Sequence, residues 1–205
     1  HLKVAVLGLA FKPGTDDLRE APSIDNISLL LKNGADIVAY VPVAMDNFRK
    51  RFPEGVVERG TISYTQQIEE ALKDANICFI FTEWKEIRKV EPETFKQLMR
   101  TPLVYDGRNI FENYPSWLSH IGYIPQTIYL TDDSIRENIA FGVAKEDIDD
   151  ERVWHVLEEA QLKDFVKELP GMLDMEIGER GVRLSGGQRQ RIGIARALAV
   201  NPEFI

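Results

Sequence analysis

Lys3-Val-Ala-Val-Leu-Gly-Leu-Ala10 is a short, nearly continuous apolar run that ends in glycine and proline signals. Such a run predicts a strand buried on both faces, as in a parallel sheet. Outward from it the chain alternates. Pro22-Ser23 opens a helix with apolar positions at Ile24, Ile27, Leu30 and Leu31, and Gly34 marks its end. Asp36–Tyr40 reads as a second strand, Met45–Arg51 as a short helix, and Thr65 as the cap of a helix through Lys73. Asn76–Phe81 reads as a third strand, Glu91–Arg100 as a helix and Leu103–Tyr105 as a last short strand. Alternating strands and helices imply parallel strands with right-handed crossovers, hence an α/β, Rossmann-like doubly wound parallel sheet. Ligands of such sheets sit at the carboxyl ends of the strands, which directs attention to residues 8–20, 82–86 and 106–109.

The 205 residues carry 25 Lys and Arg against 33 Asp and Glu, a net charge of −8, with 44% hydrophobic and 28% charged residues. That balance fits a soluble globular chain of one large or two small domains. It argues against a general nucleic-acid binder, which depends on clustered cations. One cysteine, Cys78, excludes an internal disulfide and a CxxC clamp. Set in an apolar strand, it is expected to be an inert thiol. No apolar run approaches the ~18 to 20 residues needed to span a bilayer. The start at His1, inside a strand-like run, predicts a cut-out piece of a cytoplasmic protein. Charge changes along the chain: residues 1–115 hold 15 basic and 17 acidic residues, the remainder 10 and 16.

The connection from Gly8 to Ser23 exceeds the two to six residues usual between a strand and a helix, and long loops on a rigid sheet tend to carry function. It brings Lys12 and Arg19, both suited to phosphate, beside the following helix N-terminus. It matches neither GxGxxG nor GxxxxGK[ST]; on composition alone, a solvated polar loop accounts for it equally well. Leu7-Gly-Leu-Ala-Phe-Lys-Pro-Gly-Thr-Asp-Asp-Leu-Arg-Glu-Ala-Pro-Ser23 closely resembles the opening of the C-terminal domain of UDP-glucose/GDP-mannose dehydrogenases. Tyr40-Val-Pro-Val-Ala44, Thr82-Glu-Trp84 and Tyr105-Asp-Gly-Arg-Asn109 fall, in order, where that family has similar motifs. The resemblance covers residues 1–113 and implies a domain that helps hold a nucleotide sugar and closes over an NAD site. It implies UDP-sugar contacts from Lys12 and Arg108, and a cofactor pyrophosphate contact from Arg19, with Asp16 and Asp17 supporting the loop on the cofactor side. The family's GxGxxG-bearing domain and the helical domain with its catalytic cysteine have no counterpart in these residues.

From Trp117 the texture turns helical. Ile121–Gln126 is a short strand running into a Pro-Gln loop, and Asp132-Asp-Ser-Ile-Arg-Glu137 contains a capping box that starts a helix through Phe141. Lys145–Glu151 lacks the glycine and spacing of a calcium loop and reads as acidic capping of the next helix, whose stripe is Val153, Val156, Leu157 and Ala160. His155 falls off that stripe and His120 has no partner nearby, so no metal is assigned. Leu184-Ser-Gly-Gly-Gln-Arg-Gln-Arg-Ile-Gly-Ile-Ala-Arg-Ala-Leu198 is the strongest motif: Ser185 can cap a helix, and Gly186 and Gly187 let backbone N–H groups approach an anion. Without context it would be only a glycine-rich cap on an amphipathic helix.

This stretch resembles the signature motif of ABC transporter ATPases, with Tyr123–Gln126 similar to their Q-loop, Ser134–Gly142 to the helical subdomain and Gly178–Gly181 to the turn before the signature. The resemblance covers residues 116–205, is nearest to exporter or lipid-flippase members, and implies a mainly α-helical ABC-type subdomain fragment. It implies that Ser185, Gly186, Gly187 and Gln188 form the signature and Gln126 the Q-loop glutamine, meeting ATP held by the Walker A loop of a complementary subunit. It also implies a transmembrane partner at the cytoplasmic face of a membrane. The Walker A lysine and Walker B acids are absent from the sequence, so no ATPase activity is expected of this chain.

Three expectations follow. The first is a hybrid of two partial nucleotide-binding modules, joined near Asn113–Ser116, that binds a nucleotide sugar and NAD and is inactive alone. The second is an ABC fragment active only with a Walker A-bearing partner, and the third a non-catalytic scaffold. The first part is expected to be firm and the second looser, its apolar faces needing another surface.

Overall fold

The computed structural model describes residues 2–15, 17–43, 46–111, 121–178 and 181–200. The chain divides into two compact units, His1–Tyr114 and Pro115–Ile205. The expected junction at Asn113–Ser116 lies outside the described residues, as do Ala44, Met45 and His120.

In the first unit β1 (Lys3–Leu7), β2 (Asp36–Tyr40), β4 (Gly60–Thr65), β5 (Ile77–Ile80) and β6 (Leu103–Asp106) are parallel, with β3 (Gly55–Val57) antiparallel to β4. The order is β3-β4-β2-β1-β5-β6. Val4, Ala5, Val6 and Leu7 are wholly buried, which is why β1 reads as an unbroken apolar run rather than an alternating one. In α1 (Pro22–Lys32), Ile27 and Leu31 pack with Val4, Val6, Ile37 and Ala39. Phe48 of α2 (Asp46–Arg51) closes the same cluster. Helix α1 begins at Pro22 and ends in a Schellman motif: Ala35 N–H donates to Leu30 O (3.1 Å) and Gly34 N–H to Leu31 O (3.0 Å). Helix α3 (Ile68–Leu72) lies against β1 and β2, and α4 (Lys85–Arg88) and α5 (Pro92–Leu98) complete the unit.

Three expectations are corrected here. The first strand stops at Leu7 rather than Ala10, because Gly8 adopts φ +82° and turns the chain. Thr65 does not begin a helix. It ends β4, its hydroxyl accepts from Gln67 N–H (3.1 Å) and pairs with the Glu70 carboxylate, and α3 starts only at Ile68. The β3–β4 hairpin makes Ile77–Ile80 the fifth strand, not the third. That hairpin was illegible because β3 has three residues and Val56 is largely exposed, leaving no burial pattern. Its one sharp demand is Gly60, where a Cβ would come within 2.2 Å of Ala35 O.

The second unit holds β7 (Gly122–Pro125), α6 (Ile135–Ile139), α7 (Asp150–Glu159), α8 (Lys163–Lys167) and α9 (Gly186–Val200). The capping box is present: Glu137 N–H donates to Ser134 Oγ and Ser134 N–H to the Glu137 carboxylate, both at 3.2 Å. The acidic run caps as expected, Asp149 accepting from Glu151 and Arg152 N–H at the start of α7. Contrary to expectation, the helices cover one another. Ile135 and Ile139 of α6, Val153, Val156 and Leu157 of α7, Val166 of α8, and Ile192, Ala195 and Leu198 of α9 share one cluster with Leu130, Leu162, Leu173, Ile177 and Leu184. Among the described residues no helix is long and apolar enough to cross a membrane.

Candidate functional site

The parallel strands β4-β2-β1-β5-β6 reverse direction of travel between β1 and β5, so the switch point lies at the carboxyl ends of those two strands. Two buried hydroxyls fasten the long β1–α1 loop there. Thr82 Oγ1, just beyond β5, donates to Ala10 O at 2.6 Å, and Ser23 Oγ in the first turn of α1 donates to Leu9 O at 2.5 Å. Gly8 passes so close to Thr82 that a Cβ would sit 2.5 Å from the threonine Cβ. Further along, Phe11 N–H donates to Asp17 O (3.1 Å) and Asp17 N–H to Thr15 Oγ1 (3.1 Å), which closes the loop on itself.

The loop's charged residues are disposed unequally. Lys12 is exposed, with its ammonium 5.6 Å from the Phe11 ring centre. Arg19 is also exposed and is held by Asp17 through two parallel bonds, Nε to Oδ1 (3.0 Å) and Nη2 to Oδ2 (2.8 Å). The Arg19 side chain, then its backbone N–H, hold the Asp17 carboxyl down at about 2; the Lys12 charge adds to this. Asp17 thus occupies one edge of the Arg19 fork and leaves the guanidinium further donors. Asp16 lies outside the described residues.

At the end of β6, Asp106 is wholly buried and accepts from Arg108 N–H (2.9 Å) and Ile110 N–H (2.8 Å), so its carboxylate shapes the turn that presents Arg108. Arg108 Nη2 lies 3.6 Å from Glu83, which also takes Arg88 at 2.8 Å. Sequence reading had singled out Arg108 but not Asp106, Glu83 or Thr82; the Asp-Gly turn signal at 106–107 was the available clue. Cys78, in β5 beneath this region, is fully buried, and burial, reinforced by the Asp106 charge, pushes its thiol well up.

In the second unit the helix cap at the Ser-Gly-Gly-Gln stretch is reciprocal. Gln188 N–H donates to Ser185 Oγ (3.3 Å) and Ser185 N–H to Gln188 Oε1 (2.8 Å). Ser185, Gly186 and Gly187 are exposed and Gln188 half-buried, while Gln126, directly after β7, is exposed. A Cβ at Gly187 would meet nothing within 4 Å, and one at Gly186 only the far end of Arg189 at 3.9 Å. Packing within the chain therefore does not require either glycine. Of the turn Gly178–Gly181, Glu179 and Arg180 lie outside the described residues.

The second unit also holds a buried network that sequence reading missed. Arg196, 1% exposed, sits in the apolar run of α9, and its Nε donates to Asn138 O (2.7 Å), Nη1 to Tyr129 O (2.8 Å) and Nη2 to Asn138 Oδ1 (3.2 Å). Asn138 Nδ2 in turn donates to Ser134 O at 3.0 Å. An arginine interrupting an otherwise apolar helix was the one signal.

The fold therefore combines a Rossmann-like α/β sheet unit with a mainly helical unit. Residues 5–113 match the UDP-glucose/GDP-mannose dehydrogenase family, UDP binding domain, and residues 94–205 the ABC transporter family, each match taking in over half of the chain. The chain belongs to both families, one after the other, and the stretch 94–113 answers to both. A UDP-glucose 6-dehydrogenase from Pseudomonas aeruginosa is 40% identical over 125 residues, 61% of this chain and 27% of that protein. A multidrug resistance ABC transporter ATP-binding and permease protein from Lactococcus lactis subsp. lactis is 40% identical over 114 residues, 55% of this chain and 19% of that protein. The structure of a bacterial Atm1-family ABC exporter with ATP bound matches with a TM-score of 0.38 at 40% identity, over 43% of this chain and 15% of that one. The chain spans less than a third of the length of either curated relative.

Proposed function

We propose that residues 1–113 form a nucleotide-sugar and NAD binding module, and residues 116–205 an ABC-type ATP-binding segment that engages ATP only beside a complementary subunit. In this reading Lys12 and Arg108 contact a UDP-sugar, while Arg19 faces the cofactor pyrophosphate with Asp16 and Asp17 beside it. The observation that carries it is the β1–α1 loop, pinned at the switch point by Thr82 and Ser23. That is where an open α/β sheet binds its ligands, and two backbone anchors preset the loop before any ligand arrives. The turn built on Asp106 presents a second cation at the end of β6, on the same edge of the sheet.

For the second segment, the support is the exposed Gly186-Gly187 step at the N-terminus of a fifteen-residue helix, where no neighbour in the chain explains two glycines. Backbone N–H groups at such an end suit an anion. Ser185, Gly186, Gly187 and Gln188 are assigned to that role, and Gln126 to the Q-loop. The 205 residues hold no GxxxxGK[ST] loop, so this segment alone hydrolyses nothing. In the cell it would sit at the cytoplasmic face of a membrane, beside a transmembrane partner.

Calorimetric titration tests this. UDP-glucose binding is expected, weakened about tenfold or more by Lys12→Ala or Arg108→Ala, the scale of one charge-assisted hydrogen bond. Arg19→Ala should lower NADH binding and leave UDP-glucose unaffected. Equal affinities across the variants would overturn the assignment, as would ATP turnover by the chain alone.

A further inference from the structure

A cleft in the first unit lies beside the switch point, lined by Pro13 and Gly14 of the β1–α1 loop and by Glu83, Trp84, Lys85, Glu86 and Arg88 after β5. Trp84 is 9% exposed, yet its indole Nε1 is buried with no hydrogen-bond partner among the described residues. A buried N–H left unpaired costs about 1–3 kcal/mol and is rare in folded chains. The fold gains no evident local benefit from placing the indole here, since Phe would fill an apolar wall without stranding a donor.

The surroundings limit what could satisfy that donor. Glu83 and Glu86 balance Lys85 and Arg88, and Glu83 already pairs with Arg88 at 2.8 Å, so the cleft has no surplus cation for a phosphate. A neutral, flat group bearing an acceptor oxygen fits such a place, and indole rings favour stacking or edge contact with planar partners. Pro13 directly follows Lys12, one Cα step of about 3.8 Å away. A ligand whose phosphates meet Lys12 can therefore turn its far end toward Pro13 and Trp84.

We infer that Trp84 forms the base-recognition subsite of the nucleotide ligand, its indole N–H donating to a ring carbonyl of a heteroaromatic base such as uracil. The inference deepens the nucleotide-sugar reading above and rests on it. An acceptor satisfies the stranded donor only in the bound state, so the contact adds selectivity for a carbonyl-bearing base as well as affinity.

The test follows the indole resonances of the ¹⁵N-labelled full chain, with Trp84 identified by the peak lost in Trp84→Phe. UDP and inorganic pyrophosphate are titrated separately. The expected result is a shift of the Trp84 indole peak with UDP and none with pyrophosphate. Trp84→Phe, shown folded by its own spectrum, should lose about fivefold to tenfold in UDP affinity and nothing in pyrophosphate affinity. If UDP moves the backbone amides of residues 8–21 but not the Trp84 indole, the inference is overturned and the nucleotide reading stands. If neither probe moves any resonance of the first unit, both fall.

Discussion

Thr82 Oγ1 donates to Ala10 O at 2.6 Å, a side chain after β5 holding the backbone of a loop 72 residues earlier. The bond joins the two connections that flank the switch point, and it forms only because Gly8 lets the loop pass against the threonine. Replacing Thr82 by Val keeps the shape and removes the hydroxyl, leaving the Ala10 carbonyl without this donor. Thr82→Val should cost about 1–3 kcal/mol in urea unfolding and weaken UDP-glucose binding, because the loop loses its anchor. A stable variant with unchanged affinity would mean that Ser23 alone sets the loop.

Asp106 makes a comparable demand from the other side. Its buried carboxylate satisfies Arg108 and Ile110 N–H together. Asp106→Ala strands both donors and should destabilise the first unit by roughly 2–4 kcal/mol while lowering ligand affinity through the displaced Arg108. Asp106→Asn keeps an acceptor and should recover much of the stability, which circular dichroism melts of the two variants would separate.

How far the sequence led depends on which force shapes each element. Strand β1, helix α1 and the Ser134 capping box were legible because burial on two faces, a proline at N1 and an S-x-x-E spacing each leave a local imprint. The β3–β4 hairpin, α4 and the Arg196–Asn138 network left none, since they answer to partners distant in the chain. At the candidate site the cations Lys12, Arg19 and Arg108 could be named from motifs. Thr82, Asp106 and Trp84 matter through a hydrogen bond made or missing, which only coordinates reveal.

The buried arginine of the second unit should be among its most costly residues to lose. Arg196→Ala would strand Asn138 O and Tyr129 O and open space in α9, for an expected loss of about 3–5 kcal/mol. Arg196→Lys cannot reproduce three forked bonds and should recover only part of it. Unfolding monitored at Trp154, which packs against the cluster these helices share, reads the effect within this unit.

Acid should loosen the same unit through Glu137. The Lys145 ammonium at 2.6 Å, then the Ser134 hydroxyl, hold the Glu137 carboxyl at about 2, against an ordinary 4.5. A carboxyl depressed in the folded state stabilises fully above its unfolded value, and that contribution fades as pH falls from 4.5 towards 2. Glu137→Gln retains an acceptor for Ser134 N–H but not the charge facing Lys145. At pH 7 the variant should be less stable than the parent by up to about 1 kcal/mol, the partly exposed ion pair being weakened by solvent. The gap should close between pH 4.5 and 2 in urea melts followed at Trp154. A gap that stays constant across that window would show that the capping box holds α6 by hydrogen-bond geometry alone, with the Lys145 charge irrelevant to it.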